Sequence, residues 1–169
     1  MSKLSNQMKQ LWADNFSAYI KAHGFHINMT GDDFPQYHKF YNEIYESLQG
    51  YIDTLGEGLR TLNELVPANV SRLRQLSTIA DAQVVPDECD MVKETYADIE
   101  SLIQSATVAF ELCNAEKKYG LQNILAQYLE DMEKHCWMLR SSMEDPVVEA
   151  AEMKADKKLG IPEEPTPEI

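Results

Sequence analysis

The segment 34–65, FPQYHKFYNEIYESLQGYIDTLGEGLRTLNEL, decides the fold class of this chain. Its apolar residues recur at helical spacing, at Tyr37, Tyr41, Ile44, Leu48, Leu55, Leu59 and Leu62. Such a stripe is typical of one buried face of a long helix. Pro35 opens it after two candidate caps, Asp32 and Asp33, and Pro67 follows its end. We therefore predict a helix from Pro35 to about Leu65.

Similar stripes flank this segment on both sides. They predict helices over residues 5–29, 87–118 and 121–143, with a short amphipathic piece over 70–77. Gly120 is expected to break the pattern between the last two helices. Four long helices joined by short or medium connections, the longest after the second helix, predict an all-α, up-and-down four-helix bundle with a short extra helix.

The composition bounds the class of protein. The 169 residues hold 28 Asp and Glu against 15 Lys and Arg, a formal net charge of −13 that argues against nucleic acid as an obligate partner. No stretch approaches the roughly 20 apolar residues of a membrane helix, and the polar first ten residues favour the cytoplasm by default. Residues 1–143 are expected to form the bundle and residues 144–169 an acidic, Pro-rich tail.

Three cysteines, Cys89, Cys113 and Cys136, occur without the CxxC spacing of a zinc knuckle. Their odd number does not suit a disulfide framework. Cys113 and Cys136 fall on helical stripes, where a small buried hydrophobe is the expected role.

Four residues carry metal-binding chemistry: His26, His38, Asp53 and Glu57. On two antiparallel helices His26 and His38 lie at the same level, so both imidazoles could reach one ion. Asp53 and Glu57 are four residues apart and share a face of the second helix. Asp53 nevertheless lies roughly 22 Å along that helix from His38, so one ion cannot contact both within a single chain.

His38, Asp53 and Glu57 lie on the back of the second helix, away from its apolar stripe. If two copies of this helix pair antiparallel about a point near Glu46 or Ser47, His38 of one chain meets Asp53 and Glu57 of the other. The pattern predicts two identical sites of two histidines and two carboxylates. Geometry alone leaves an alternative open, since such residues are also common as caps and solvated side chains. A site inside the monomer is disfavoured, because no Glu-x-x-His pair occurs.

Three motifs resemble those of the Dps proteins, the mini-ferritins of starved bacterial cells. They are AHGFHINMTG at 22–31, FPQYHKF at 34–40 and YIDTLGE at 51–57, in which the intervals of twelve, fifteen and four residues match without insertion. SRLRQLS at 71–77 resembles the short helix between the second and third helices of that family, and EKHCWMLR at 133–140 the end of its last helix. The resemblance covers residues 4–143.

The resemblance implies a ferritin-like fold and a homo-dodecameric cage with ferroxidase centres at its two-fold interfaces. Such a cage oxidises Fe(II), preferably with hydrogen peroxide rather than oxygen, and stores ferric mineral inside. By the resemblance His26 and His38 of one subunit and Asp53 and Glu57 of its partner are the catalytic and iron-binding residues. Imidazole and carboxylate hold iron less firmly than thiolate and leave room for an oxidant.

Three positions depart from the family pattern. Asn42 stands where an Asp or Glu ligand is frequent, and Ile27 stands in place of the Trp that usually follows the first histidine. Trp12 and Trp137 are expected to serve the core or an interface instead. The segment 120–123 lacks the acids that line the usual iron-entry pore, although Glu130 and Asp131 follow it.

Two alternatives to a ferroxidase remain. One is a shell that binds metal weakly and acts as a structural assembly, and the other is a DNA-coating protein. The acidic balance predicts weak or absent DNA binding, because affinity for DNA comes mainly from Lys and Arg.

Overall fold

The computed structural model describes residues 2–143, and every regular element in this part of the chain is helical. The five helices are α1 (Lys3–Asn28), α2 (Phe34–Thr61), α3 (Val70–Leu76), α4 (Glu88–Ala115) and α5 (Tyr119–Met143). The predicted all-α bundle with four long helices and one short helix is confirmed. The acidic segment 144–169 lies outside the described residues.

The long helices pack around one apolar core. Helix α1 lies against α2 and α4, α5 lies against α4 and α2, and α3 contacts α1. Most of the predicted α2 stripe is buried, from Tyr41 to Leu59, whereas Tyr37 and Leu62 at its two ends are half-buried. The stripe therefore faces the core and leaves the back of α2 uncovered in the single chain.

Cross-helix hydrogen bonds set the register of α1 on α2. The Asn15 amide donates to the Leu48 carbonyl over 2.8 Å, and the Trp12 indole donates to the Ile52 carbonyl over 2.9 Å. Both acceptors belong to the helical backbone of α2, so these bonds hold the two antiparallel helices against sliding.

Two helices end at residues other than those expected. α2 ends at Thr61 rather than near Leu65, because Asn63 adopts a left-handed conformation with φ 62°. α4 ends at Ala115, and Lys117 takes the left-handed position with φ 56°. The Lys118 amide then donates to the Cys113 carbonyl over 2.8 Å, which closes the helix end. The sequence predicted that Gly120 would break the helix. This prediction is wrong, since Gly120 lies in the first turn of α5.

The turn between α1 and α2 requires a glycine. Gly31 has φ 130°, and a Cβ atom there would collide with the Glu88 carboxylate at the start of α4. Asp33 is the N-cap of α2, as expected, but its side chain makes no capping bond, and Pro35 supplies the fixed φ of the first turn. This turn brings the end of α1 beside the start of α2.

A buried carboxylate anchors the long connection between α3 and α4. Asp14 on α1 is only 2% exposed and accepts hydrogen bonds from the Ser77 hydroxyl and from the amide and hydroxyl of Thr78. These bonds compensate for the desolvation of the charge and fix α3 against α1.

The three cysteines are free thiols, as the absence of a CxxC pair suggested. Cys113 is buried and Cys136 half-buried, which confirms their expected places on packed faces, whereas Cys89 is exposed. Burial raises the pKa of the Cys113 thiol to about 11.

Candidate metal centre

His26 and His38 form a tight pair where α1 ends and α2 begins. Their rings stack with centroids 3.8 Å apart and planes inclined by 19°. Each Nδ1 lies at hydrogen-bond distance from the other residue's carbonyl oxygen, at 2.9 Å for His26 and 3.0 Å for His38. Because a carbonyl oxygen only accepts, both Nδ1 atoms carry the hydrogen and donate it. In the neutral form each ring then has its lone pair on Nε2, the arrangement of a metal-ligating histidine oriented by a backbone partner.

The electrostatic environment also favours a neutral His26. Partial burial lowers the pKa of His26 from its ordinary value. The neighbouring imidazoles of His38 and His23 act in the same direction, and the hydrogen bond to the His38 carbonyl and the charge of Glu46 oppose it without reversing it. A neutral imidazole is the form that binds a metal ion.

Asp53 and Glu57 lie farther along α2, and both side chains are exposed. They border an open groove of about 600 Å³ between α1 and α2, which we call the carboxylate groove; its walls include Trp12, Phe16 and Val66. The two carboxylates share one face of the helix and are separated from the histidine pair by about four helical turns.

The candidate ligands thus fall into two separate groups in the single chain, the histidine pair and the two carboxylates, which we call the half-sites of the candidate metal centre. Among residues 2–143, no group of three or more His, Cys, Asp and Glu side chains converges as a metal site would. The two histidines come together as predicted, and the two carboxylates do not join them, as the helix arithmetic required.

Two aromatic or imidazole neighbours of the pair were missed by the sequence argument. The Tyr45 ring lies 5.0 Å from the His26 ring and 4.5 Å from the His23 ring. His23 precedes His26 by three residues on α1, and Tyr45 follows His38 by seven on α2, so helical spacing was a signal that could have found both. They enclose the histidine pair on one side.

Asn42, which departs from the family pattern, forms a hydrogen bond with a neighbouring residue. The Tyr45 hydroxyl donates a hydrogen bond to the Asn42 side-chain oxygen over 2.8 Å. A carboxamide could ligate a hard cation only through that oxygen, and the bond occupies one of its two lone pairs.

The structure also gives the positions of Ile27, of the two tryptophans and of the start of α5. Ile27 is 64% exposed and Trp137 is 55% exposed, whereas Trp12 is buried against α2. The first turn of α5 carries no acidic residue, and Asp131 accepts a hydrogen bond from the Tyr51 hydroxyl of α2.

Arg60 is a further charged residue that the sequence argument did not include. It lies on the carboxylate groove with Asp53 and Glu57. Its guanidinium donates to the Glu64 carbonyl over 2.6 Å, beyond the end of α2. The positively charged guanidinium of Arg60 therefore lies beside the two carboxylates.

None of the helices in residues 2–143 combines the length and apolar character needed to cross a membrane.

Comparison with known proteins places the fold in a family. The ferritin-like domain family matches residues 5–146. An uncharacterized low temperature-induced protein of Nostoc sp. is 30% identical over 146 residues, which cover 85% of this chain and 82% of that protein. The DNA protection during starvation protein of Brevibacillus brevis is 27% identical over 126 residues, covering 75% and 85% respectively.

A solved structure shows the same architecture. The Dps protein of Vibrio cholerae O1, described as a member of a broad superfamily of ferritin-like diiron-carboxylate proteins, superposes with a TM-score of 0.80 at 25% identity, covering 84% of this chain and 89% of that one. The chain therefore belongs to the ferritin-like family and, within it, to the Dps proteins.

Proposed function

We propose that this protein is a ferroxidase and iron-storage cage that protects the cytoplasm against oxidative damage. Twelve copies enclose a cavity, Fe(II) and hydrogen peroxide are the substrates, and ferric mineral is stored inside. The observation that carries the proposal is the histidine pair, in which both Nδ1 atoms are engaged with backbone carbonyls and both Nε2 atoms are left to bind iron. Membership in the Dps family supports the same chemistry.

The complete site is shared between two subunits. His26 and His38 come from one subunit, and Asp53 and Glu57 come from its two-fold partner, because they are too far apart in one chain. Imidazole and carboxylate ligands suit iron in both oxidation states. Two ferrous ions supply the two electrons that reduce one peroxide molecule to water, so hydroxyl radical is not released.

Each half-site has a separate task. The backbone carbonyls hold the imidazoles in the ligating tautomer, and the partner's carboxylates contribute the negative charge that stabilises the ferric product. Iron bound between them is a substrate that leaves for the mineral.

A specific observation favours a second candidate, a shell that binds metal weakly. The Asn42 oxygen already accepts a hydrogen bond from Tyr45, so this neutral residue is a weaker ligand than the carboxylate that is frequent at this position. An anaerobic Fe(II) titration followed by peroxide addition distinguishes the candidates: a ferroxidase binds iron stoichiometrically and oxidises it faster than peroxide does without protein, whereas a structural shell does neither.

Single substitutions test the proposed ligands. We expect His38→Ala and Asp53→Ala each to slow peroxide-driven Fe(II) oxidation at least about tenfold while the bundle stays folded, because each removes a ligand. Lys39→Ala and Glu111→Ala are matched controls on exposed positions and should keep the wild-type rate. Wild-type rates in both ligand variants would rule out the assignment.

Mixed cages test whether the site is shared. In a dimer of one His38→Ala and one Asp53→Ala subunit, one site carries both defects and the other carries none. Co-assembly should therefore restore part of the activity that each variant alone has lost. No gain on mixing would place both ligands of each site in the same subunit.

The assembly itself is a separate prediction. The uncovered back of α2 needs a partner, so sedimentation at micromolar concentration should show a closed dodecamer. Only monomer or dimer under these conditions would contradict the cage.

A further inference from the structure

Ile27 is a large apolar side chain that the single chain leaves uncovered beside its candidate metal centre. It is 64% exposed near the end of α1, one residue after His26. It follows Phe16 by eleven residues, close to three full helical turns, so both side chains leave α1 from the same side. Isolated exposed apolar residues are common in proteins. The exposure of Ile27 is therefore informative only if its side chain contacts another subunit in an assembly.

The bottom of the carboxylate groove is apolar. We call its residues Trp12, Gly56 and Val66 the apolar floor. Trp12 is only 5% exposed, and its indole is fixed by the hydrogen bond to the Ile52 carbonyl. Gly56 keeps the groove open: a Cβ atom there would lie 3.3 Å from the Trp12 Nε1 and 3.7 Å from a Val66 methyl group. Asp53 and Glu57 stand on the exposed side of this floor.

The register of the helices fixes the level of Ile27. The bonds between His26 and His38, Asn15 and Leu48, and Trp12 and Ile52 show that α1 and α2 keep one antiparallel register along their length. In this register Ile27 lies at the level of Tyr37 on α2.

The shared site then determines what Ile27 faces. An antiparallel pairing of α2 about the point between Glu46 and Ser47 brings His38 to the partner's Asp53 and Glu57, and the same pairing brings the level of Tyr37 to the partner's Gly56. We infer that Ile27 of each subunit inserts into the carboxylate groove of its two-fold partner, on the apolar floor at Gly56, and closes the metal centre that its neighbour His26 helps to form. This inference rests on the proposed shared site and names the contact that seals it.

The contact has a chemical consequence. An apolar side chain over the groove excludes water from the carboxylates, and a lower local dielectric strengthens their attraction for a cation. The occupant is a second copy of this chain, because the groove has carboxylates without histidines and the end of α1 has histidines without carboxylates.

Cross-linking tests the location of Ile27 directly, without metal. In a Cys89→Ser background, which removes the exposed native thiol, Ile27→Cys is combined with Arg60→Cys on the rim of the groove. A short bis-maleimide should convert most of the chain to covalent dimer. The control pair, Val108→Cys with Arg60→Cys, should not form that dimer, because Val108 is exposed on α4, a helix that takes no part in the inferred contact.

A charge substitution tests the energetic role of the contact. Ile27→Asp places a negative charge against Asp53 and Glu57 and should lower the population of two-fold dimer at micromolar concentration at least about tenfold, whereas Val108→Asp should keep that dimer. Circular dichroism checks that the helices of both variants remain. Ile27→Leu should keep the dimer population of the wild type, since Leu fills the same volume as Ile.

The outcomes separate this inference from the proposed function. Absence of the cross-link in assembled cages, or wild-type assembly of Ile27→Asp, would overturn the inference even if Fe(II) oxidation proceeds normally. A wild-type chain that stays monomeric would overturn it as well. Cross-linked dimers of the cysteine variant, together with wild-type cages that fail to oxidise Fe(II), would confirm the contact and refute the ferroxidase.

Discussion

His135 shows how burial changes the chemistry of a single residue in this protein. It is 8% exposed on α5, and its Nδ1 has no hydrogen-bond partner among the described residues. Burial lowers the pKa of His135, although Asp131 and Glu43 act in the opposite direction and Lys134 adds to the lowering. The imidazole is therefore neutral in the folded chain at neutral pH.

Stability should depend on pH through this residue. The unfolded chain binds a proton at His135 near pH 6.5, whereas the folded chain binds it only at lower pH. The stabilising contribution is therefore complete above about pH 6.5 and is lost as the pH falls through the lowered pKa. Urea unfolding at pH 7.5 and pH 5 should show a smaller loss of stability in His135→Leu than in the wild type.

A residue of the same helix that does not titrate provides the control for that experiment. Asn123→Leu changes an exposed residue on α5 and should keep the wild-type difference between the two pH values. Equal losses in wild type and His135→Leu would show that another group governs the acid sensitivity.

At the scale of the elements, the helix ends carry conformational strain that the sequence alone does not reveal. Lys117 adopts φ 56° in the connection between α4 and α5, a region that costs a residue with a Cβ roughly 1 to 2 kcal/mol. Gly120, the residue expected to relieve such a turn, lies three positions too late. The amide of Lys118 still closes the end of α4 on the Cys113 carbonyl.

Moving the glycine to the strained position should stabilise the protein. We expect Lys117→Gly to raise the free energy of unfolding by about 1 kcal/mol, because glycine adopts the left-handed conformation without a steric cost. Lys118→Gly is the matched control, since its φ is not positive and a flexible residue there only adds entropy to the unfolded chain. Chemical denaturation measures both, and a destabilised Lys117→Gly variant would contradict the strain.

At the scale of the whole molecule, the net charge of −13 per chain dominates long-range interactions. The few basic residues near the amino terminus are partly engaged, as Lys9 forms an ion pair with Glu64. The three lysines of segment 144–169 stand among eight acids. The proposed cage would multiply this charge, so its long-range field would repel a phosphate backbone.

We therefore expect no appreciable binding of duplex DNA at physiological salt. In a gel-shift assay at about 0.15 M salt and neutral pH, plasmid should migrate unchanged in the presence of micromolar cage, since too few Lys and Arg are available to release counterions. Retarded plasmid at sub-micromolar cage would show that a local basic patch, repeated around the cage, outweighs the net charge.

The sequence by itself determined the helical architecture and the composition of each half-site. The periodic stripe of α2 and the proline and glycine positions predict the bundle, because burial of one apolar face is a local property of helical spacing. The spacing from His26 to Glu57 also requires two separate half-sites, since the rise of a helix is constant. The helix ends were less predictable. Asn63 is of a type that favours the left-handed conformation after a helix, whereas Lys117 is not, and its conformation depends on how the next helix packs.

Only the tertiary structure decided how the half-sites are held. The exchange of Nδ1 hydrogen bonds between His26 and His38, the capture of Asn42 by Tyr45 and the apolar floor around Trp12 all join residues of different turns or different helices. Such contacts depend on the distance and rotation between packed helices. Those quantities follow from the whole core, and the spacing of residues along one helix does not contain them.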